Sequence, residues 1–236
     1  MGRSATKAVI LAGGRGTRLR PYSMFIPKPL VPIGDRPILE ILLGQLKRIG
    51  IRDVVLCVNH LAEIIMSYLG DGSRYGVSIQ YSLEDRPLNT VGPLKLVESL
   101  PDDFLVMNGD VLTDLDFANF FDYHLANGAL LTVAAYRREV DIDFGVIQTN
   151  GKSNVATGFR EKPRDSFLVS MGVYGFKRRV LEMVPAGEPY GFDSLMRDLL
   201  RRQERVQIYP YTGYWLDIGR PDDYEKANQD ITSLDL

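Results

Sequence analysis

Between Leu11 and Leu30 the chain reads LAGGRGTRLRPYSMFIPKPL, with three glycines, four cationic side chains and a Pro-Lys-Pro in twenty residues. Gly13, Gly14 and Gly16 follow an apolar run, Ala8-Val9-Ile10-Leu11, that reads as a buried strand. Glycine admits positive φ and lets backbone N–H groups approach an anion with no Cβ in the way. Guanidinium forks on Arg15 and Arg18, with the ammonium of Lys28, suit the oxygens of a polyphosphate tail. A tight turn with cationic neighbours is the plainer alternative, and the joint arrival of the three cations argues against it. The dinucleotide fingerprint does not apply, because Leu19 stands where its third glycine would be, and no Gly-Lys-Ser/Thr of a Walker loop follows.

Other polar residues are less telling alone. Asp110, in LVMNGDVL, comes just after a buried strand, at the carboxyl end where α/β ligands bind. Such an aspartate is as readily a turn or cap residue. Glu161-Lys162 in FREKPRDS reads as a solvated pair on a strand edge. The single cysteine, Cys57, lies in VVLCV and reads as a small core residue; it excludes an internal disulfide and fits a reducing compartment. The two histidines, His60 and His124, form no zinc-ligand spacing with it.

The elements that must position these residues follow from periodicity. Strands are expected at Lys7–Leu11, Asp53–Val58, Val77–Tyr81 and Phe104–Met107. Helices are expected at Ile38–Ile49, His60–Leu69, Thr90–Ser99 and Phe117–Ala126. Short apolar strands between amphipathic helices indicate βαβ units and a sheet covered on both faces, hence an α/β fold. After Ala129 the chain turns strand-rich (ALLTVAAY, FGVIQTN, VATGFRE, FLVSMGVYGF). Helices return at Lys177–Val184, Gly191–Gln203 and Asp222–Asp230. No linker, low-complexity tract or tandem repeat divides the 236 residues.

Composition is ordinary for a globular chain, 45% apolar and 25% charged. A formal net charge of −2 implies no general nucleic-acid affinity, and no apolar run reaches the ~18 residues of a membrane span. The start MGRSAT formally matches the myristoylation pattern, but is read as a disordered lead into the first strand. A cytoplasmic location is expected.

The motif Gly-Gly-x-Gly-Thr-Arg-Leu-x-Pro followed by Pro27-Lys28-Pro29 resembles the signature of the sugar-1-phosphate nucleotidyltransferases, also called nucleotide-sugar pyrophosphorylases. The resemblance runs from about Lys7 to Asn228, with the motifs in the family's order. It implies a Rossmann-like three-layer α/β/α fold with a central mixed, mainly parallel sheet. It also implies one nucleotidyltransferase domain over residues 1–236, mainly nucleotide-binding in 7–128 and mainly sugar-phosphate-binding in 129–230. Arg18 and Lys28 would be catalytic, binding phosphates and stabilising the transition state. Leu11, Ala12, Gly13, Gly14, Arg15, Gly16, Thr17, Glu84, Pro87, Thr90 and Gly92 would bind the nucleotide. Asn108, Gly109, Gly145, Glu161, Lys162 and Gly172 would bind the sugar phosphate. Asp110 and Asp217, the latter in YWLDIGRPDDY, would hold Mg²⁺. A homo-oligomer, dimer or tetramer, is also implied.

The reaction implied joins a nucleoside triphosphate to a sugar 1-phosphate and releases pyrophosphate. Its nucleophile, a phosphate monoester with a second pKa near 6, is already ionised at neutral pH, so no general base is needed. Three departures from the family pattern stand out. In EDRPLNTVGPLKLV, Asn89 and Val91 replace a glycine and an alanine, and in VSMGVYGF Ser170 replaces an asparagine. Glu84 lies where uridine- and thymidine-using members present glutamine; a carboxylate accepts the adjacent N1–H and N2–H₂ of guanine, whereas an amide suits uracil. Pro93 resembles the mannose-1-phosphate guanylyltransferase version of that loop. GTP with mannose 1-phosphate or a manno-heptose 1-phosphate is therefore expected, against UTP, dTTP or CTP. A metal-dependent glycosyltransferase would not need the glycine loop with Pro-Lys-Pro. A regulatory homologue without turnover would be expected to lose Lys28, Asp110 or Asp217.

Overall fold

The computed structural model describes residues 6–151, 153–234 and 236, so the amino-terminal acylation pattern falls almost wholly outside the described residues. Along β1 (Lys7–Leu11) successive side chains enter opposite faces of one sheet. Ala8 and Ile10 join one apolar cluster and Val9 the other, and all three are fully buried. A strand dry on both faces must lie inside a layered fold.

The chain continues through β2 (Pro32–Ile33), β3 (Arg36–Pro37), α1 (Ile38–Arg48), β4 (Asp53–Val58), α2 (Ala62–Leu69) and β5 (Ser78–Leu83). Next come β6 (Asp103–Asn108), β7 (Val111–Thr113), α3 (Phe117–Asn127) and β8 (Leu131–Asp141). After these follow β9 (Val146–Thr149), β10 (Ala156–Arg160), β11 (Arg164–Lys177), α4 (Phe192–Arg201), β12 (Val206–Tyr211), β13 (Trp215–Asp217) and α5 (Pro221–Asp230). Seven strands make the central sheet in the order β12-β8-β11-β6-β1-β4-β5. β11 is antiparallel to both its neighbours, and the remaining neighbours are parallel. The sheet is mixed and mainly parallel, as expected.

Helices cover both faces. α1, with buried Ile38, Leu39, Ile41, Leu42, Leu43 and Leu46, shares its cluster with α2 and α3. Lys47 and Arg48 in its last turn complement the negative end of the helix dipole. α3 begins at a cap: Asp116 Oδ1 accepts the N–H groups of Ala118 and Asn119 at 2.8 and 3.1 Å. The opposite face is closed by Leu195 and Leu199 of α4 together with Leu94, Val180 and Leu181. Phe104 and Phe176, nearly inaccessible on this face, pack with ring centroids 5.7 Å apart. Truncating either would cost about 3–5 kcal/mol.

Two expected helices are not α-helices. Thr90–Ser99 reduces to a 3₁₀ turn at Gly92–Leu96, and Lys177–Val184 to a 3₁₀ segment at Arg178–Met183. In the first, Pro93 supplies no N–H, and the N–H groups of Val91 and Gly92 bond Tyr190 O, a partner far along the chain. β12 went unread because VQIYPY contains a proline, which a strand tolerates at a sheet edge, where β12 lies. β8 and β11 run on past the rest of the sheet as a two-stranded arm, beside which β9 and β10 form a hairpin. Among the described residues no helix is long and apolar enough to cross a membrane.

Candidate active site

The parallel strands β1, β4 and β6 end together, and the glycine loop leaves β1 at that edge. Leu11 pairs with Cys57 and Asn108; beyond the pairing, Ala12 N–H donates to Cys57 O at 2.8 Å and Gly109 N–H to Leu11 O at 2.9 Å. A Cβ on Gly109 would lie 3.1 Å from Leu11 O and 3.4 Å from Pro29, so the close approach of the two loops favours glycine. Gly16 has φ +60°, and a Cβ there would meet Cβ of Lys28 at 3.0 Å. Ser23 Oγ closes the loop by donating to Gly16 O at 2.6 Å.

Pro27-Lys28-Pro29 enters a short 3₁₀ turn, with Leu30 N–H donating to Pro27 O at 2.8 Å and Val31 N–H to Lys28 O at 3.1 Å. The prolines fix φ on either side of Lys28, so the lysine is presented by a stiff backbone. Its side chain is buried, and its ammonium donates to Asp110 and lies 3.9 Å from Asp217 Oδ1.

Asp110 and Asp217 are brought together by a small sheet. β13 pairs antiparallel with β7, setting Asp217 opposite Val111, and Ile218 N–H donates to Asp110 O at 3.0 Å. Trp215 anchors this pair by donating Nε1–H to Met171 O at 2.9 Å. Asp217 is held above the usual carboxylate range, first by loss of solvent and then by the negative charge of Asp110; Lys28 and Arg18 pull it the other way. Asp110 Oδ1 is buried with no hydrogen-bond partner. An orphan carboxylate oxygen beside a second carboxylate fits a hard divalent cation. Among the described residues no group of three or more His, Cys, Asp or Glu could hold a metal, so such an ion would complete its shell with phosphate oxygens and water.

These residues line a cleft of about 430 Å³. Its lining includes Leu11, Ala12, Gly13, Gly14, Arg15, Arg18, Lys28, Asn108, Asp110 and Asp217, together with Glu84, Pro87 and Thr90. Glu84 is buried, and burial raises its carboxyl above the ordinary range. Its Oε2 accepts Leu88 N–H at 2.9 Å, while Oε1 lies where a Cβ on Gly13 would come within 2.8 Å. Asn59, unmarked by any motif, also lines the cleft and donates Nδ2–H to Glu84 O at 2.8 Å. The signal that would have found it is the one used for Asp110, a polar residue directly after a buried strand. Cys57 lines the cleft too, with burial pushing its thiol up to about 12, which leaves it inert as a nucleophile.

Apart from Thr90, the remaining expected residues lie away from the cleft lining. Gly16 and Thr17 shape the loop from behind it. Thr90 lines the cleft, and its Oγ1 accepts Phe192 N–H at 2.9 Å. Gly92 packs instead against the backbone of residues 188–190: a Cβ there would lie 3.1 Å from Glu188 O. Gly172, at φ +75°, makes room for Asn108, whose amide would meet a Cβ at 2.6 Å. Gly145 and Glu161 meet beside the β9–β10 hairpin, where Glu161 Oε2 would be 3.2 Å from a Cβ on Gly145. Lys162 is exposed there with φ 40°.

The chain matches the nucleotidyl transferase family over residues 7–233. Over 226 residues it is 36% identical to a mannose-1-phosphate guanyltransferase of Candida albicans, covering 92% of this chain and 62% of that protein. It is 34% identical over 250 residues to a UTP–glucose-1-phosphate uridylyltransferase of Synechocystis, covering 98% and 64%. The chain thus spans less than two thirds of the length of these relatives. The crystal structure of HddC from Yersinia pseudotuberculosis complexed with GMP-PN superposes with a TM-score of 0.73 at 26% identity, covering 96% of this chain and 99% of that one.

Proposed function

The chain belongs to the nucleotidyl transferase family, and we propose that it makes a nucleotide sugar and pyrophosphate from GTP and a manno-configured sugar 1-phosphate. The observation that carries this is the cleft in which buried Lys28 joins Asp110 and Asp217, with Arg15 and Arg18 also in its lining. The reaction brings together two anions that repel each other, so it needs charge neutralisation and in-line alignment more than acid–base chemistry. Arg15 and the glycine loop would hold the triphosphate. Arg18 and Lys28 would neutralise the phosphate under attack, and Lys162 with Glu161 would hold the sugar phosphate and a sugar hydroxyl. Asp110 and Asp217 would hold Mg²⁺, which supplies further neutralisation of phosphate charge when bound.

Glu84 supports guanine. With Oε2 engaged by Leu88 N–H, Oε1 lies beside Gly13 of the cleft lining, and an ionised carboxylate oxygen accepts N–H donors such as those of a guanine edge. The guanyltransferase relative and the HddC complex with GMP-PN point the same way. The Synechocystis uridylyltransferase favours a second reading, the same chemistry with UTP and glucose 1-phosphate. The proposal extends to one domain working in the cytoplasm as a homo-oligomer, with residues 7–128 serving mainly the nucleotide and 129–230 mainly the sugar phosphate.

The test is pyrophosphate release with Mg²⁺, five nucleoside triphosphates and a panel of sugar 1-phosphates including mannose and manno-heptose. Turnover confined to GTP is expected. Turnover with UTP, dTTP or CTP alone would discard guanine and keep the reaction class, and no pyrophosphate from any pair would discard both.

A further inference from the structure

We infer that the segment 187–192, which carries none of the motifs above, is a brace for the base-facing loop, and that Tyr190 is a positioning residue for Glu84. This rests on the reading of Glu84 as the base-recognising group. Tyr190 N–H donates to Leu88 O at 3.0 Å, and Leu88 N–H donates in turn to Glu84 Oε2 at 2.9 Å. Tyr190 O accepts two more loop donors, Val91 N–H at 3.0 Å and Gly92 N–H at 2.9 Å. Arg86 bonds Gly187 O, and Thr90 Oγ1 takes the N–H of Phe192 at the start of α4. The loop from Glu84 to Gly92 is thus held along its length by a segment about a hundred residues away. A Cβ on Gly92 would lie 2.9 Å from Leu88 Cβ and 3.1 Å from Glu188 O, so the loop and the segment would have to shift to admit a side chain there.

The brace is itself fixed. Tyr190 is 7% exposed, and its hydroxyl donates to Asp198 Oδ2 on α4 at 2.7 Å. Phe192 packs on the buried ring of Tyr174, centroids 4.5 Å apart, and the Tyr174 hydroxyl accepts from Ser170 Oγ at 3.1 Å. Arg86, Tyr190 and Asp198 do not line the cleft. Any effect they have on nucleotide recognition must therefore pass through the loop.

The experiment uses the full chain with Tyr190→Ala, Tyr190→Phe and the double variant Arg86→Met/Asp198→Ala. Amide exchange at Leu88, Val91 and Gly92 is read by NMR, and steady-state kinetics are run with GTP, ATP and the best sugar 1-phosphate. Tyr190→Ala is expected to speed exchange at the three amides about tenfold and to raise KM for GTP about tenfold. The preference for GTP over ATP should fall by a similar factor, with KM for the sugar phosphate within about twofold. Tyr190→Phe, which keeps the ring and the backbone bonds but loses the bond to Asp198, should show a smaller loss in the same direction. The double variant, which leaves the core ring in place, should show the same pattern and decides the matter if Tyr190→Ala does not fold. Unchanged exchange at these amides, or equal rises in KM for both substrates, would overturn the brace. Exchange needs no turnover, so it judges the brace even if no triphosphate proves to be a substrate.

Discussion

Replacing Lys28 by Met keeps the length of the side chain and removes one charge from a buried position. The ammonium is bonded to Asp110 and 3.9 Å from Asp217, with 9% of its side chain exposed, so solvent screens it little. Two unit charges about 4 Å apart at an effective dielectric constant near 20 interact by about 4 kcal/mol. If Lys28 turns the same charge on the phosphoryl group in the transition state, its loss should raise the barrier by about 3–4 kcal/mol, or two to three orders of magnitude in kcat. KM for the triphosphate should move only a few-fold, since Arg15, Arg18 and the glycine loop remain. A second effect has the opposite sign. Lys28 competes with a divalent cation for Asp110, so the Met variant should bind Mg²⁺ or Mn²⁺ about tenfold more tightly by calorimetry. Pyrophosphate release under saturating substrates measures the first effect. Turnover within tenfold of wild type would refute the catalytic role, and unchanged or weaker metal binding would refute the competition at Asp110.

Glu84→Gln should lower kcat/KM for GTP about tenfold relative to UTP, because an amide whose oxygen accepts Leu88 N–H presents its NH₂ donor where guanine also donates. Since burial raises the Glu84 carboxyl, acidification protonates it above the ordinary range, and KM for GTP should climb as pH falls in wild type but not in Glu84→Gln. Asn89 has φ 65°, so Asn89→Gly should leave stability and turnover nearly unchanged, while Asn89→Val should cost about 1–2 kcal/mol in urea unfolding. His124 is fully buried, with Nε2 3.2 Å from an Asp103 oxygen that also pairs with Lys177 and Nδ1 bonded to Thr132, and desolvation depresses its pKa. The unfolded chain binds that proton near pH 6.5, so Tm should drop as pH falls below this value, and the drop should be shallower in His124→Gln.

Periodicity read the parallel half of the sheet well because β1, β4 and β6 are nearly continuous apolar runs and each helix presents one apolar stripe. β1, β4, β6, α1 and α3 stand within a residue or two of expectation. Where it failed, backbone donors had found distant partners. The Thr90–Ser99 stretch carries helix-like apolar spacing, yet Tyr190 O takes the N–H groups of Val91 and Gly92. Local pattern contains no information about residue 190. β12 failed for a different reason: an edge strand with a proline and half-buried tyrosines lacks the apolar run of a central strand.

The candidate site divides along the same line. Its residue types stand in the motifs because phosphate chemistry restricts them to glycine, arginine, lysine and aspartate. Their proximity does not, because it is made by pairings between remote segments: Asp217 against Val111, Ile218 to Asp110, Gly109 to Leu11. The departures from the family pattern become intelligible only through such geometry. Asn89 replaces a glycine and holds φ 65°, a left-handed conformation that asparagine tolerates better than other side chains. The loop therefore keeps its path with a different residue. Ser170 replaces an asparagine and is tied through its hydroxyl to buried Tyr174, which packs on Phe192 and so touches the brace behind Glu84. A substitution on the proposed sugar side is thereby connected by packed side chains to the loop proposed to face the base. Choice of sugar and choice of base need not be independent in such a cleft.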